Sequence, residues 1–141
     1  MTNISLKDIK LINLSRIHNK NGDVMHFMKS GDNDFIKFGE VYFSWINYKS
    51  IKAWKKHNYM TLNLVVPLGN VKFVFHIPEQ KEFRIEEVGL SNYKRIVVPP
   101  GIWFGFEGLD KDKNLVSNFA DIEHDPSECS NVGKDFFSYS W

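Results

Sequence analysis

Through the middle of the chain, apolar and polar residues alternate with a period of two. In Glu40–Trp45, Glu40, Tyr42 and Ser44 fall on one face and Val41, Phe43 and Trp45 on the other, as in a strand with two unlike sides. Leu62, Leu64 and Val66 alternate with Asn63 and Val65. Beyond the turn-forming Pro67-Leu68-Gly69-Asn70, Val71, Phe73, Phe75 and Ile77 alternate with Lys72, Val74 and His76. These two runs predict a hairpin. Phe83–Val88 and Lys94–Val98 are predicted as further strands, joined through Gly89-Leu90-Ser91-Asn92. Pro99-Pro100-Gly101 ends the pairing, because neither proline can donate a ladder hydrogen bond. Leu115–Ala120 is the last predicted strand, and only residues 6–10 read as helix. Many short strands at close spacing predict an all-β sandwich, jelly roll or barrel, whose open end can take a ligand.

Composition narrows the function classes. The chain has 141 residues, and no linker, repeat or composition break divides it, so 1–141 is read as a single domain. Aromatic residues make up 15% of it, which favours strands and supplies flat faces on which a sugar or base can stack. With 18 basic and 17 acidic side chains the net charge is +1, so no overall field draws the molecule to nucleic acid or to a membrane surface. A bound anion must be held by a local cluster. No stretch approaches the ~20 apolar residues of a spanning helix, and the first residues lack the apolar run of a signal peptide. The single cysteine, Cys129, excludes an internal disulfide, fits a reducing compartment and is read as inert in a polar segment. The expected location is the cytoplasm.

Several segments, taken in order, resemble the dTDP-4-dehydrorhamnose 3,5-epimerase family of nucleotide-sugar epimerases. They are Asn21-Gly22-Asp23-Val24-Met25-His26, Phe38-Gly39-Glu40-Val41-Tyr42-Phe43-Ser44, Ile51-Lys52-Ala53-Trp54-Lys55-Lys56-His57 and Met60-Thr61-Leu62-Asn63. Pro99-Pro100-Gly101-Ile102-Trp103-Phe104-Gly105-Phe106, His124-Asp125-Pro126-Ser127-Glu128 and Tyr139-Ser140-Trp141 follow. The resemblance implies a cupin, a double-stranded β-helix that closes as a jelly-roll barrel. It implies cofactor-independent chemistry on a 4-keto-6-deoxy nucleotide sugar: a proton acidified by the ketone leaves C3 or C5 and one returns to the opposite face. A general base, an acid across from it and a group that stabilises the enolate oxygen are required. The resemblance also implies a homodimer, with an N-terminal segment crossing to the partner near Asn21-Gly22, and a place in surface-polysaccharide biosynthesis.

The family's base segment, Arg-Gly-Leu-His, reads here as Lys52-Ala53-Trp54-Lys55. Lys52 then takes the place of a phosphate-binding arginine, keeping the charge without the bidentate fork. Lys55 takes the place of the catalytic histidine, although a solvated lysine is protonated at neutral pH. His57, expected to share a strand face with Lys55 and Ala53, is the more natural base. Anchoring on Pro126 puts His124 where the family has an acidic tyrosine, and Asp121 or Glu123 is a candidate to orient a histidine. Glu40, Tyr42 and Ser44 match positions that line the sugar and phosphate pocket. Asn63 and Asn118, polar residues in apolar strands, need either a ligand or a hydrogen-bond network. Trp103 and Phe104, after the Pro-Pro-Gly turn, are placed to stack on a base or to plug the barrel.

A metal-dependent cupin does not fit. Its His-x-His, Glu and final His positions read Lys55-Lys56-His57, Thr61 and Phe104, which leaves one ligand of the usual set. The leading expectation is therefore a metal-free and cofactor-free epimerase with His57, Lys55 and His124 as catalytic residues. A 3,4-ketoisomerase on the same scaffold and a non-catalytic nucleotide-sugar-binding cupin are the alternatives.

Overall fold

The computed structural model describes residues 3–141. Its strands are β1 (Lys10–Asn13), β2 (Arg16–Ile17), β3 (Val24–Met25), β4 (Glu40–Ile46), β5 (Ile51–His57), β6 (Leu62–Leu68), β7 (Asn70–Ile77), β8 (Glu82–Gly89), β9 (Lys94–Val98), β10 (Trp103–Gly108), β11 (Asn114–Ala120) and β12 (Cys129–Asn131). One five-stranded sheet runs β1-β9-β6-β11-β4 and the other β12-β5-β10-β7-β8, while β2 and β3 form a separate ribbon. From β4 to β12 the chain passes from one sheet to the other at every connection except β7–β8, and every pairing is antiparallel. That winding is the double-stranded β-helix of a cupin jelly roll.

Two expectations are corrected. Residues 6–10 do not form a helix: Leu6–Asp8 make one 3-10 turn, closed by reciprocal bonds between Ser5 and Asp8, and β1 starts at Lys10. Nor do β6 and β7 pair as a hairpin, since β6 lies between β9 and β11 whereas β7 lies between β10 and β8. Gly69 carries the crossing at φ +79, and a Cβ there would meet the Lys113 carbonyl oxygen at 2.2 Å. Alternation reports which face of a strand is buried and is silent about its partner. The hairpin forms one connection later, between β7 and β8, through a 3-10 turn at Pro78–Gln80.

The inner faces of the two sheets meet in a core of Leu62, Leu64, Val66, Phe73, Phe75, Ile96, Val98 and Phe106 among others. Each such side chain contributes about 1.5–3 kcal/mol by leaving water. The strand β6 is buried along most of its length rather than on alternate residues. Its outer side is roofed by the segment before β4, pinned there by Arg95, which is 0% exposed. The guanidinium forms an ion pair with Asp34 and donates to the Phe27 carbonyl at 3.2 Å and to Asn63 Oδ1 at 2.8 Å. The same guanidinium holds the Asp34 carboxyl below the usual carboxylate range, against the opposing effect of burial.

Candidate active site

Between the sheets, open on the side of the edge strands β4 and β12, lies a cavity of about 370 Å³. Its polar lining comes from Tyr42 and Ser44 on β4, Lys52 and Lys55 on β5, Asn118 on β11 and Asn131 on β12; Leu62, Leu64, Phe104, Phe106 and Val116 supply apolar walls. Two ammonium groups and no carboxylate belong to this lining, so its charge suits an anion.

Strand β5 sets its charged side chains by an irregularity. Lys52 lies opposite Phe106 and Lys55 opposite Phe104, both buried core residues, while Lys56 lies opposite Trp103. Lys52 and Lys55 are three residues apart, and a regular strand would send them to opposite faces. Between Phe104 and Gly105 the register shifts, so that Trp54 is an extra residue on β5, a β-bulge, and both lysines face inward. The expectation that Ala53 shares the face of Lys55 and His57 is thereby overturned. Ala53 lies opposite Gly105 on the outer side, where a Cβ on the glycine would meet the Ala53 Cβ at 2.5 Å and the Trp141 ring at 3.1 Å. Lys52 Nζ donates to the Trp45 carbonyl at 2.7 Å, reaching across to the other sheet.

His57 is 3% exposed, stacked on Phe104, and donates through Nδ1 to Glu128 Oε1. The second oxygen of Glu128 accepts backbone N–H groups from Asn58 at 3.1 Å, Tyr59 at 3.0 Å and Met60 at 3.3 Å. Burial of Glu128 works to raise its pKa, but the His57 bond and these N–H groups outweigh it and leave the carboxyl below the usual range. An ionised carboxylate only accepts, so in the uncharged form of the ring the proton sits on Nδ1 and the lone pair on Nε2. Nε2 is buried and has no hydrogen-bond partner. Such an orphan is costly to leave empty and suits a group that must take a proton from a ligand.

Across the cavity, the Tyr42 hydroxyl accepts from Asn118 Nδ2 at 3.1 Å. Burial raises the Tyr42 pKa, and the acidic groups of Glu40, Glu128 and Cys129 add to it, so the phenol keeps its proton at neutral pH.

Of the residues singled out from sequence, Tyr42, Ser44, Lys52, Lys55, Phe104 and Asn118 come together around the cavity, with His57 stacked behind Phe104. The others do not join them. Asn63 is consumed by structure, its amide shared between Arg95 and the Phe119 carbonyl. Trp103 is on the outer face, under Lys56 Nζ at 5.2 Å and edge-on to Phe137. Glu40 accepts the backbone N–H of His124 at 3.1 Å, and His124 is an exposed residue beside a separate cleft with Tyr59 and Glu123. His124 therefore does not reach the cavity as the expected acid. The orienting carboxylate is Glu128, not Asp121 or Glu123; Asp121 accepts the Thr61 N–H at 2.8 Å instead. Among the described residues no group of three or more His, Cys, Asp or Glu side chains could hold a metal ion, and no helix is long and apolar enough to cross a membrane.

No protein-family model matches the chain, and no curated protein does. Among solved structures, a dTDP sugar isomerase from Desulfovibrio desulfuricans G20 is 31% identical, with a TM-score of 0.91 over 96% of this chain and 91% of that one. A sugar 3,4-ketoisomerase from Thermoanaerobacterium thermosaccharolyticum, solved in complex with TDP, is 20% identical, with a TM-score of 0.77 over 94% and 93%. A dTDP-4-dehydrorhamnose 3,5-epimerase from Sulfolobus tokodaii is 17% identical, with a TM-score of 0.80 over 98% and 84%. The latter two share the fold.

Proposed function

Because the chain belongs with the dTDP sugar isomerases and has the fold of the dTDP-4-dehydrorhamnose 3,5-epimerases, we propose that it epimerises a 4-keto-6-deoxy sugar carried on a nucleoside diphosphate, dTDP first among them. The observation that carries this reading is the unpartnered, buried Nε2 of His57, held in its basic tautomer by Glu128, with the protonated hydroxyl of Tyr42 on the opposite sheet.

His57 Nε2 takes the proton from C3 or C5, and the C–H electron pair moves toward the C4 oxygen, giving an enolate. Lys55, inward like His57 and without an anionic partner in the cavity lining, is suited to hold that oxygen in place of the base role expected for it. Tyr42 returns a proton to the opposite face of the ring, and solvent resets the protonated histidine and the phenolate. Lys52, at the end of β5 farther from His57, is assigned to the diphosphate. The ketone itself acidifies the proton, so this route uses no cofactor. Incubation with dTDP-4-keto-6-deoxyglucose in deuterium oxide tests the reading: deuterium at C3 or C5 with inversion is expected. Absence of exchange with every 4-keto nucleotide sugar overturns it.

A second reading is a 3,4-ketoisomerase, favoured by the position of His124 outside the cavity. A single imidazole can carry the C3 proton to C4 on one face, while the O3 hydroxyl proton passes to O4. The product then has its ketone at C3, and NMR distinguishes the two outcomes. A surface-polysaccharide pathway and a cytoplasmic location belong to the proposal, the latter supported by the single free cysteine. A homodimer also belongs to it, supported by the exposed apolar face of β4, where Val41, Phe43 and Trp45 are 41%, 64% and 54% exposed. Sedimentation of the purified chain at two concentrations tests the dimer.

A further inference from the structure

The bulge in β5 has a restraint on its outer side. Trp54 is 1% exposed, and its backbone pairs with Val132 in both directions, at 2.9 and 3.1 Å. Its indole Nε1 donates to the Lys134 carbonyl at 3.0 Å. The rings of Phe137 and Trp141 lie 5.4 and 5.3 Å from it, centre to centre. Trp141 is seated in turn over Gly105, where a side chain would meet its ring at 3.1 Å, and beneath Lys72 Nζ at 5.3 Å. One segment, Val132–Trp141, thus grips the extra residue of β5 by backbone, indole nitrogen and ring.

The grip decides where Lys52 points. Counting from Lys55 opposite Phe104 in regular register, Trp54 would fall opposite Gly105, Ala53 opposite Phe106 and Lys52 opposite Glu107. Lys52 would then lie on the outer face, and an alanine methyl would take its place in the cavity. Lys55 and His57 would keep their faces. Only a bulge held at Trp54 brings the second ammonium inward.

We infer that Val132–Trp141 is a positioning segment for Lys52, acting through Trp54 to hold the β5 bulge and so to complete the anion site. The inference rests on the reading of Lys52 as a diphosphate ligand. Its test is titration calorimetry with dTDP on the full chain and on Trp54→Ala, Lys52→Ala, the double variant and a chain lacking Asp135–Trp141. Each single change and the truncation are expected to weaken dTDP about tenfold, the scale of one lost charge-assisted hydrogen bond. The double variant is expected to bind no more weakly than Lys52→Ala, because the two residues act as one unit. Additive losses overturn the proposal, since they describe a general disturbance of the barrel. Trp54→Phe, which keeps the ring contacts, is expected to restore most of the affinity.

An unchanged dTDP affinity in Lys52→Ala sinks the diphosphate reading instead. NMR contacts across β5 and β10 then decide the positioning role without nucleotide. Lys52 moving from Phe106 to Glu107 in Trp54→Ala or in the truncated chain supports it. Lys52 still facing Phe106 in both overturns it.

Discussion

Glu128 binds His57 with one carboxylate oxygen and the turn that follows β5 with the other, so one side chain orients the base and closes the loop beside it. The two are 71 residues apart in sequence. Glu128→Gln is expected to lower kcat by about 10- to 100-fold, the usual effect of losing an orienting partner. It should also lower stability by about 1–3 kcal/mol, because the turn's N–H groups lose an ionised acceptor. Steady-state kinetics and urea denaturation read the two effects separately.

The same carboxyl sets a pH dependence of stability. Its pKa in the folded chain is below the unfolded value, so the unfolded state binds the proton more readily. The stabilisation is full above the ordinary carboxylate value of about 4.3 and is lost as pH falls through the folded pKa. Denaturation midpoints measured from neutral pH downward should fall more steeply below that value for the wild type than for Glu128→Gln.

Tyr42→Phe removes the hydroxyl proton on the sheet opposite His57 while keeping the ring. Proton abstraction should survive and delivery to the opposite face should fail. Substrate recovered from deuterium oxide is expected to carry deuterium without inversion, and product formation should fall by about 10²-fold or more. His124→Ala, altering an exposed residue outside the cavity, is expected to leave kcat within about twofold. A collapse of activity in that variant would return His124 to the role the sequence suggested.

Asp34→Asn breaks the buried ion pair with Arg95, neither of which lines the cavity. Removing one partner leaves a guanidinium with 0% exposure and no charged partner closer than Asp32 at 3.6 Å. A loss of about 3–5 kcal/mol is expected. Thermal denaturation checks this, and dTDP affinity of the remaining folded protein should be unchanged.

The sequence made β4, β6 and β7 legible through alternation, and β8, β9 and β11 as short runs bounded by turn residues. The strand β5 was legible only through the resemblance, since three lysines and a bulge conceal its alternation. The shared face of Tyr42 and Ser44 was readable by counting in twos, and the inward positions of Lys52 and Lys55 by likeness alone. Counting failed for Ala53, where the bulge shifts the register, and it left Asn63 open between a ligand and a network, which Arg95 and the Phe119 carbonyl supply. Glu128 had no signal because nothing in a local pattern links a carboxylate after Pro126 to a histidine at the end of β5. His124, two residues before that proline, drew attention by alignment, while the working carboxylate lay two residues after it.

In β4 the two faces carry unrelated duties, with Tyr42 and Ser44 lining the cavity and Val41, Phe43 and Trp45 outside. Its pairing with β11 runs without interruption from Glu40 to Ile46. A one-residue insertion or deletion inside it would exchange the faces, turning tryptophan and phenylalanine into the pocket and its hydroxyls out to water. Length, more than side-chain identity, is therefore the least negotiable property of this strand: in a library of indels, functional survivors should have lost or gained residues there in even numbers.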